Sequence, residues 1–146
     1  MKITKKRMMN YKILAKYIKE IDFNIPNPKI FFLLSKNISN YKINIDITSD
    51  QFKEKIIEVE TKLSLNSTIN KDEKIKTKIV YSTIIELGDG VKNKKDLEEI
   101  ILIKVPTEIY SELRKSFVFL FETCGFKDIK IDEVVDFKKL YLSKKV

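Results

Sequence analysis

Apolar residues at every second position run from Tyr11 to Ile25. Tyr11, Ile13, Ala15, Tyr17, Ile21, Phe23 and Ile25 share one parity with Lys19 as the exception, and the other parity is mostly Lys, Glu, Asp and Asn. A period of two over this length demands a strand with one buried face, because a helix would repeat its apolar residues every three to four positions. The parity returns at Tyr41, Ile43, Ile45 and Ile47, at Ile57, Val59, Leu63 and Leu65, and at Ile75, Ile79, Tyr81 and Ile85. Four strands are therefore predicted. Thr48-Ser49-Asp50 is read as the turn after the second, and Asn66 to Asp72 as the loop after the third, both short enough for antiparallel hairpins. The expected sheet is an antiparallel meander with one solvated face.

After Gly88-Asp89-Gly90 the period lengthens. Asp96 with Glu99 reads as a capping box for a short helix ending before Pro106. Thr107 is placed to cap a longer helix that runs to Cys124 and closes at Gly125. Leu113, Phe117, Leu120 and Cys124 form its main apolar stripe, and Cys124 is expected to be buried. Ile109, Tyr110, Val118, Phe119 and Phe121 widen that stripe until its second half is apolar nearly all round. Such a helix needs cover on more than one side, and one four-stranded sheet supplies only one. A second subunit is the expected cover. Phe137, Leu140 and Tyr141 after Asp136 read as a short amphipathic helix. The fold class is α+β, a four-stranded sheet followed by a long and a short helix.

The 146 residues suit one domain spanning 1–146. The first nine residues, MKITKKRMM, are read as a basic, flexible tail; no long apolar run follows, so a cytoplasmic protein without membrane insertion is expected. One cysteine and no histidine remove disulfide scaffolds, His-based triads and most transition-metal sites. The net charge of +8 raises nucleic acid as a partner, through Lys74, Lys76 and Lys78 for phosphates and Tyr41 and Tyr81 for stacking. Two observations argue against it. Of 29 basic residues only Arg7 and Arg114 are arginine, the side chain most used for base-edge readout, and Tyr41 and Tyr81 carry the parity of the buried face.

No constellation supports catalysis, and neither a cofactor nor a metal is expected. Glu58 with Glu60, and Asp132 with Glu133, are carboxylate pairs that nothing in the sequence desolvates. Gly88-x-Gly90 lacks the length and the following residues of a phosphate loop. The segment Ile30-Phe31-Phe32-Leu33-Leu34 stands out instead, five consecutive apolar residues in a connection between strands, where polar residues normally prevail.

The run Tyr17-x-Lys19-Glu20-Ile21-x-Phe23-x-x-Pro26-Asn27 resembles the opening of the SecB family of protein-export chaperones. Pro106, Arg114, Gly125-Phe126 and Phe137 fit later positions of that family, so the likeness covers roughly residues 11 to 142. The resemblance implies an ATP-independent chaperone that holds precursor proteins unfolded for export. It implies a dimer of dimers joined through the first strand and the long helix, with Ile13, Tyr17, Tyr110, Leu113, Phe117, Phe119 and Phe121 at the interfaces. It also implies a groove for unfolded polypeptide, one wall formed by Ile30, Phe31, Phe32, Leu33 and Leu34, the other by Phe126, Phe137 and Tyr141.

The resemblance further implies an acidic sheet face that docks on the export motor SecA. Here Glu20 keeps one of its charges, Asn24 replaces another and Lys78 falls on a third. That loss opposes docking. The usual acidic tail is absent as well, the chain ending Lys144-Lys145-Val146. A local role for Lys78, a cross-strand pair with Glu60, is equally compatible with the pattern. A SecB-like chaperone for a non-export client, such as an antitoxin, is the alternative reading.

Overall fold

In the computed structural model, which describes residues 10–38, 42–66, 76–127 and 129–145, the strands are β1 (Tyr11–Asn24), β2 (Lys42–Lys53), β3 (Ile56–Asn66) and β4 (Lys76–Leu87). They form one antiparallel sheet in the order β1-β4-β3-β2. Only β2, β3 and β4 make a meander. β1 lies on the far side of β4, which corrects the expected order. The reason lies in β4: it carries Val80 and Ile84 at positions where β2 and β3 carry Asp, Lys and Glu, and a strand apolar on both faces belongs at the centre of a sheet.

The chain therefore crosses from one edge of the sheet to the other. Within that crossing lies α1 (Pro28–Asn37). Ten residues of helix span about 15 Å, close to the width of three strand spacings of about 4.8 Å. Asn27 is its N-cap, its side chain accepting the Ile30 N–H at 2.9 Å, and Pro28 fills the first helical position, where no N–H is needed. The apolar run Ile30 to Leu34 is thus helical rather than a loop. Leu34 is fully buried.

The pairing of β1 with β4 contains two bulges, at Leu14 and at Lys19. Each inserts one residue and reverses the side-chain parity beyond it. Residues 15–18 are consequently inverted relative to their sequence pattern: Lys16 and Ile18 lie on the same sheet face as Thr83 and Tyr81, and Tyr17 lies on the other face with Ser82. β2 also runs on through Thr48-Ser49-Asp50 to Lys53, so the expected turn there is not formed. An edge strand exposed along its end tolerates polar residues, and the reversal falls at Glu54-Lys55, where Lys55 has φ 65°.

The helical half departs from expectation in its caps. Asn93, not Asp96, caps α2 (Lys94–Glu99), its side chain accepting the Asp96 N–H at 2.8 Å. The chain then passes without interruption through a π-helical turn, Ile100–Lys104, into α3 (Val105–Thr123). Pro106 sits inside this continuous helix. A proline there lacks a donor and crowds the preceding turn, and the wider turn, in which the Val105 N–H reaches Ile100 O, accommodates it. Thr107 is no cap; its hydroxyl donates to Ile103 O. The chain closes with α4 (Phe137–Lys145).

α3 lays Ile109, Leu113, Phe117 and Phe121 on the odd-numbered face of the sheet, against Leu63, Ile79 and Tyr81. A second cluster at the other end joins Ile57, Val59 and Ile85 to Ile100, Ile101 and Val105. Two tyrosines pin α3 to the sheet: Tyr11 donates to Glu108 at 2.7 Å and Tyr81 to Glu112 at 2.9 Å, with the Lys16 ammonium on Glu112 at 2.8 Å. Past the helix, Gly125 has φ 101° and its missing side chain leaves room for the Phe31 ring. Cys124 is exposed, against expectation, because the helix has ended at Thr123.

Candidate functional site, an apolar trough beside β2

Ile43, Ile45 and Ile47 point to the helix-bearing side of β2 and are only half-buried, for β2 is an edge and α3 packs mainly over β3 and β4. Two adjoining hollows lie above them. One, of about 420 Å³, is bounded by Ile43, Ile45, Tyr110, Ile131 and Val135, with Lys42, Lys130 and Asp132 at its mouth. The other, of about 370 Å³, is bounded by Ile45, Ile47, Leu102, Phe137, Leu140, Tyr141 and Glu98. They share Ile45, so the pair makes one trough along the strand.

The outer wall is the segment between α3 and α4, and α3 holds it in place. Tyr110 donates its hydroxyl to Asp132 O at 2.7 Å and Arg114 Nε donates to Ile131 O at 3.0 Å. Both bonds end on backbone carbonyls, so they fix the path of the segment whatever its side chains. Burial raises the Tyr110 hydroxyl above its ordinary pKa, which keeps it a donor. The Tyr110 ring meets the Phe137 ring edge-on at 5.8 Å.

Of the residues expected to line a groove, Phe137 and Tyr141 do border the trough. Ile30 to Leu34 do not face them. Phe31 stacks on Phe126 at 4.8 Å, Phe126 meets Phe121 at 5.8 Å, and Leu34 and Phe126 are buried in the main core. Ile30 and Leu33 are half-buried and Phe32 is 68% exposed. The hollow that Phe137 and Tyr141 border is floored by β2 and completed by Leu102, Leu140 and Glu98. The signal for the floor was present in the Ile43, Ile45, Ile47 alternation; what was missing is that the helix leaves it uncovered.

Among the expected interface residues, Tyr110, Leu113, Phe117 and Phe121 are buried within their own chain. They are core residues and have no surface for a partner. Phe119 is 64% exposed on the outer side of α3, and Leu14, Tyr17, Ile18 and Ile21 along the β1 edge are each over 40% exposed. Ile13 is half-buried.

Glu20, Asn24 and Lys78 do share the sheet face opposite the helices, their partners in the ladder being Val80, Lys76 and Ser64. Lys78 pairs with Glu20 at 3.2 Å; Glu60 lies opposite Ser82 in the register and receives the Lys19 ammonium at 2.6 Å, so no Glu60–Lys78 pair forms. Lys19 also reaches Glu58 at 3.0 Å, and Ser82 donates to the same carboxylate at 2.6 Å. These donors, Ser82 first, hold the Glu58 carboxyl below its ordinary pKa. The face is a mesh of mutually neutralised charges rather than an acidic surface. Tyr81 is buried with its hydroxyl on Glu112, so it is unavailable for base stacking, and Tyr41 and Lys74 lie outside the described residues, as does the basic segment 1–9.

Among the described residues no cluster of His, Cys, Asp and Glu could hold a metal ion, and no helix is long and apolar enough to cross a membrane. The molecule is an antiparallel sheet with helices on one face and an apolar trough along its edge strand. The chain belongs to the SecB family, whose model, described as preprotein translocase subunit SecB, matches residues 4–146. It is 36% identical over 132 residues to a Pelagibacter ubique protein with a provisional name as protein-export protein SecB, covering 90% of this chain and 94% of that protein. It is 24% identical over 143 residues to the protein-export protein SecB of Anaplasma marginale, covering 90% and 81% respectively. Among solved structures, the SecB-like chaperone of Mycobacterium tuberculosis in complex with a ChAD peptide from the HigA1 antitoxin superposes with a TM-score of 0.57, covering 90% of this chain and 96% of that one. At 9% identity that likeness is one of fold. Proteins of this family are chaperones, not enzymes, and they bind unfolded clients.

Proposed function

We propose that this chain is an ATP-independent chaperone of protein export, a single SecB-type domain working in the cytoplasm, and that unfolded precursors bind in the trough along β2. The observation that carries the site is the half-buried row Ile43, Ile45, Ile47 on an edge strand. An extended client laid there buries apolar side chains, at about 25 cal/mol per Å² removed from water. It can also pair with strand backbone. Neither interaction reads a particular sequence, and promiscuity follows.

Assembly into a dimer of dimers is proposed through the exposed apolar β1 edge and the outer side of α3 at Phe119. The exposed apolar side chains at these two places are the observation that supports it. Repetition of the trough around a tetramer raises avidity while each site stays weak.

The Lys78–Glu20 pair favours a second reading of the partner. With the face neutralised from within, SecA gains little electrostatic attraction, and a client outside export becomes the alternative. The test is light scattering on a size-exclusion column with the protein alone, with a chemically unfolded secretory precursor and with the same precursor folded. A tetramer that co-elutes with the unfolded form only is expected. Binding of neither form overturns the proposal.

A further inference from the structure

The trough contains one polar contact that neither the sheet nor the core requires. Tyr141 on α4 donates its hydroxyl to Glu98 Oε1 at 2.7 Å, a bond between residues 43 apart in the chain, and both side chains border the hollow over Ile45 and Ile47. Its two ends are anchored very differently. Glu98 belongs to α2, which is capped by Asn93 and continues directly into the π-helical turn, where Ile100 and Ile101 are buried in the second core cluster. Tyr141 belongs to α4, which packs chiefly on that turn. Phe137, at its start, is buried, Leu140 is half-buried and Leu142 is 51% exposed. Phe137 and Leu140 hold α4 to the core by apolar contact, and the Tyr141 hydroxyl adds a polar tie beside them.

We propose that Tyr141 and Glu98 form a latch that sets how far α4 stands from β2, and so the width of the client groove; this rests on the trough being the client site. A hydrogen bond to a carboxylate is stronger than one between neutral groups. Both residues are nevertheless half-buried, so water competes for the same groups. Such a bond holds α4 down at rest and yields to a side chain that enters between Ile45 and Leu140. Opening then breaks the Tyr141–Glu98 bond and swings α4 about Phe137, leaving the α3–sheet core intact. Glu98 is a positioning residue in this scheme, acting on the client only through Tyr141.

Three variants separate the latch from mere bulk: Tyr141→Phe keeps the ring and removes only the donor, Glu98→Ala removes the acceptor, and Glu98→Gln retains an acceptor oxygen. Two readouts are taken on the full chain. The first is hydrogen exchange of the amides of 137–145 without client, and the second is stopped-flow entry of a short dansyl-labelled peptide of alternating apolar residues. Tyr141→Phe and Glu98→Ala should each speed α4 exchange about tenfold and accelerate peptide entry, while Glu98→Gln, with a neutral and therefore weaker acceptor, falls between wild type and Glu98→Ala. Unchanged exchange in Tyr141→Phe overturns the latch. Faster exchange with unchanged peptide entry overturns its control of the groove. Failure of the wild type to bind the peptide defeats the client-groove reading itself, and control of the groove with it, while the exchange data still report whether α4 is latched.

Discussion

Glu112 joins three parts of the protein through one carboxylate: the Lys16 ammonium of β1, the Tyr81 hydroxyl of β4 and its own helix. Lys16 first, then Tyr81, hold its carboxyl below the ordinary carboxylate pKa, while burial pushes the Tyr81 hydroxyl up to about 12. A depressed carboxylate pKa stabilises the fold above the unfolded value, about 4.3 for Glu, and the contribution is lost as pH falls through the folded value. The Glu112 side chain is 48% exposed, so solvent screening limits its share to roughly 1 kcal/mol or less. Chemical denaturation of wild type and Glu112→Gln from pH 7 down to pH 3 checks this: the variant should be weaker near neutrality and the two curves should converge at the acid end. Parallel curves would assign the acid sensitivity elsewhere. None of this was legible from the pattern. Lys16 has the parity of the wet face, and only the bulge at Leu14 turns it toward the helix.

Among the elements, α1 shows how a correct motif can carry an incomplete meaning. Pro26-Asn27 ends the family-like run of the first strand; in the fold Asn27 also caps a helix whose first residue is Pro28. The apolar run that follows gains its backbone hydrogen bonds internally and can then be partly buried. Asn27→Ala should cost about 1 kcal/mol in urea unfolding and raise hydrogen exchange over residues 28–37. A loss of stability without that local change would mean that Asn27 acts through the strand before it. Pro106 misled in the opposite sense: the reading that the helix stops before it is correct for an ordinary α-helix, and the π-helical turn Ile100–Lys104 is what carries the chain past it. A wider turn leaves no periodic trace in five residues.

For the whole molecule, the proposed assembly turns on whether the outer side of α3 meets a second subunit. The apolar residues of its second half do not all do the same work. Phe121 is fully buried among Phe23, Phe117 and Phe126, whereas Phe119 is 64% exposed. Aspartate at 121 places a charge in a core with no partner and should prevent folding. Phe119→Asp should leave the circular dichroism and unfolding midpoint near wild type and lower the oligomeric mass measured by light scattering. A Phe119→Asp chain of unchanged mass would remove α3 from the assembly and leave the β1 edge as the sole candidate.

Period-two alternation, read from the chain alone, determined the four strands and which residues of β2, β3 and β4 face the helices, and the longer period after Gly90 marked the helical half. It did so because side-chain parity is a local property of extended backbone. The likeness around Tyr17 to Asn27 determined the family. Strand order was decided elsewhere, by the need to put the doubly apolar β4 at the centre. The inversion of residues 15–18 came from bulges on an edge, and the trough from a helix too narrow to cover β2. Each depends on what lies next to a residue in space, and a pattern along one chain records only which face a residue prefers, not whether another element arrives to cover it.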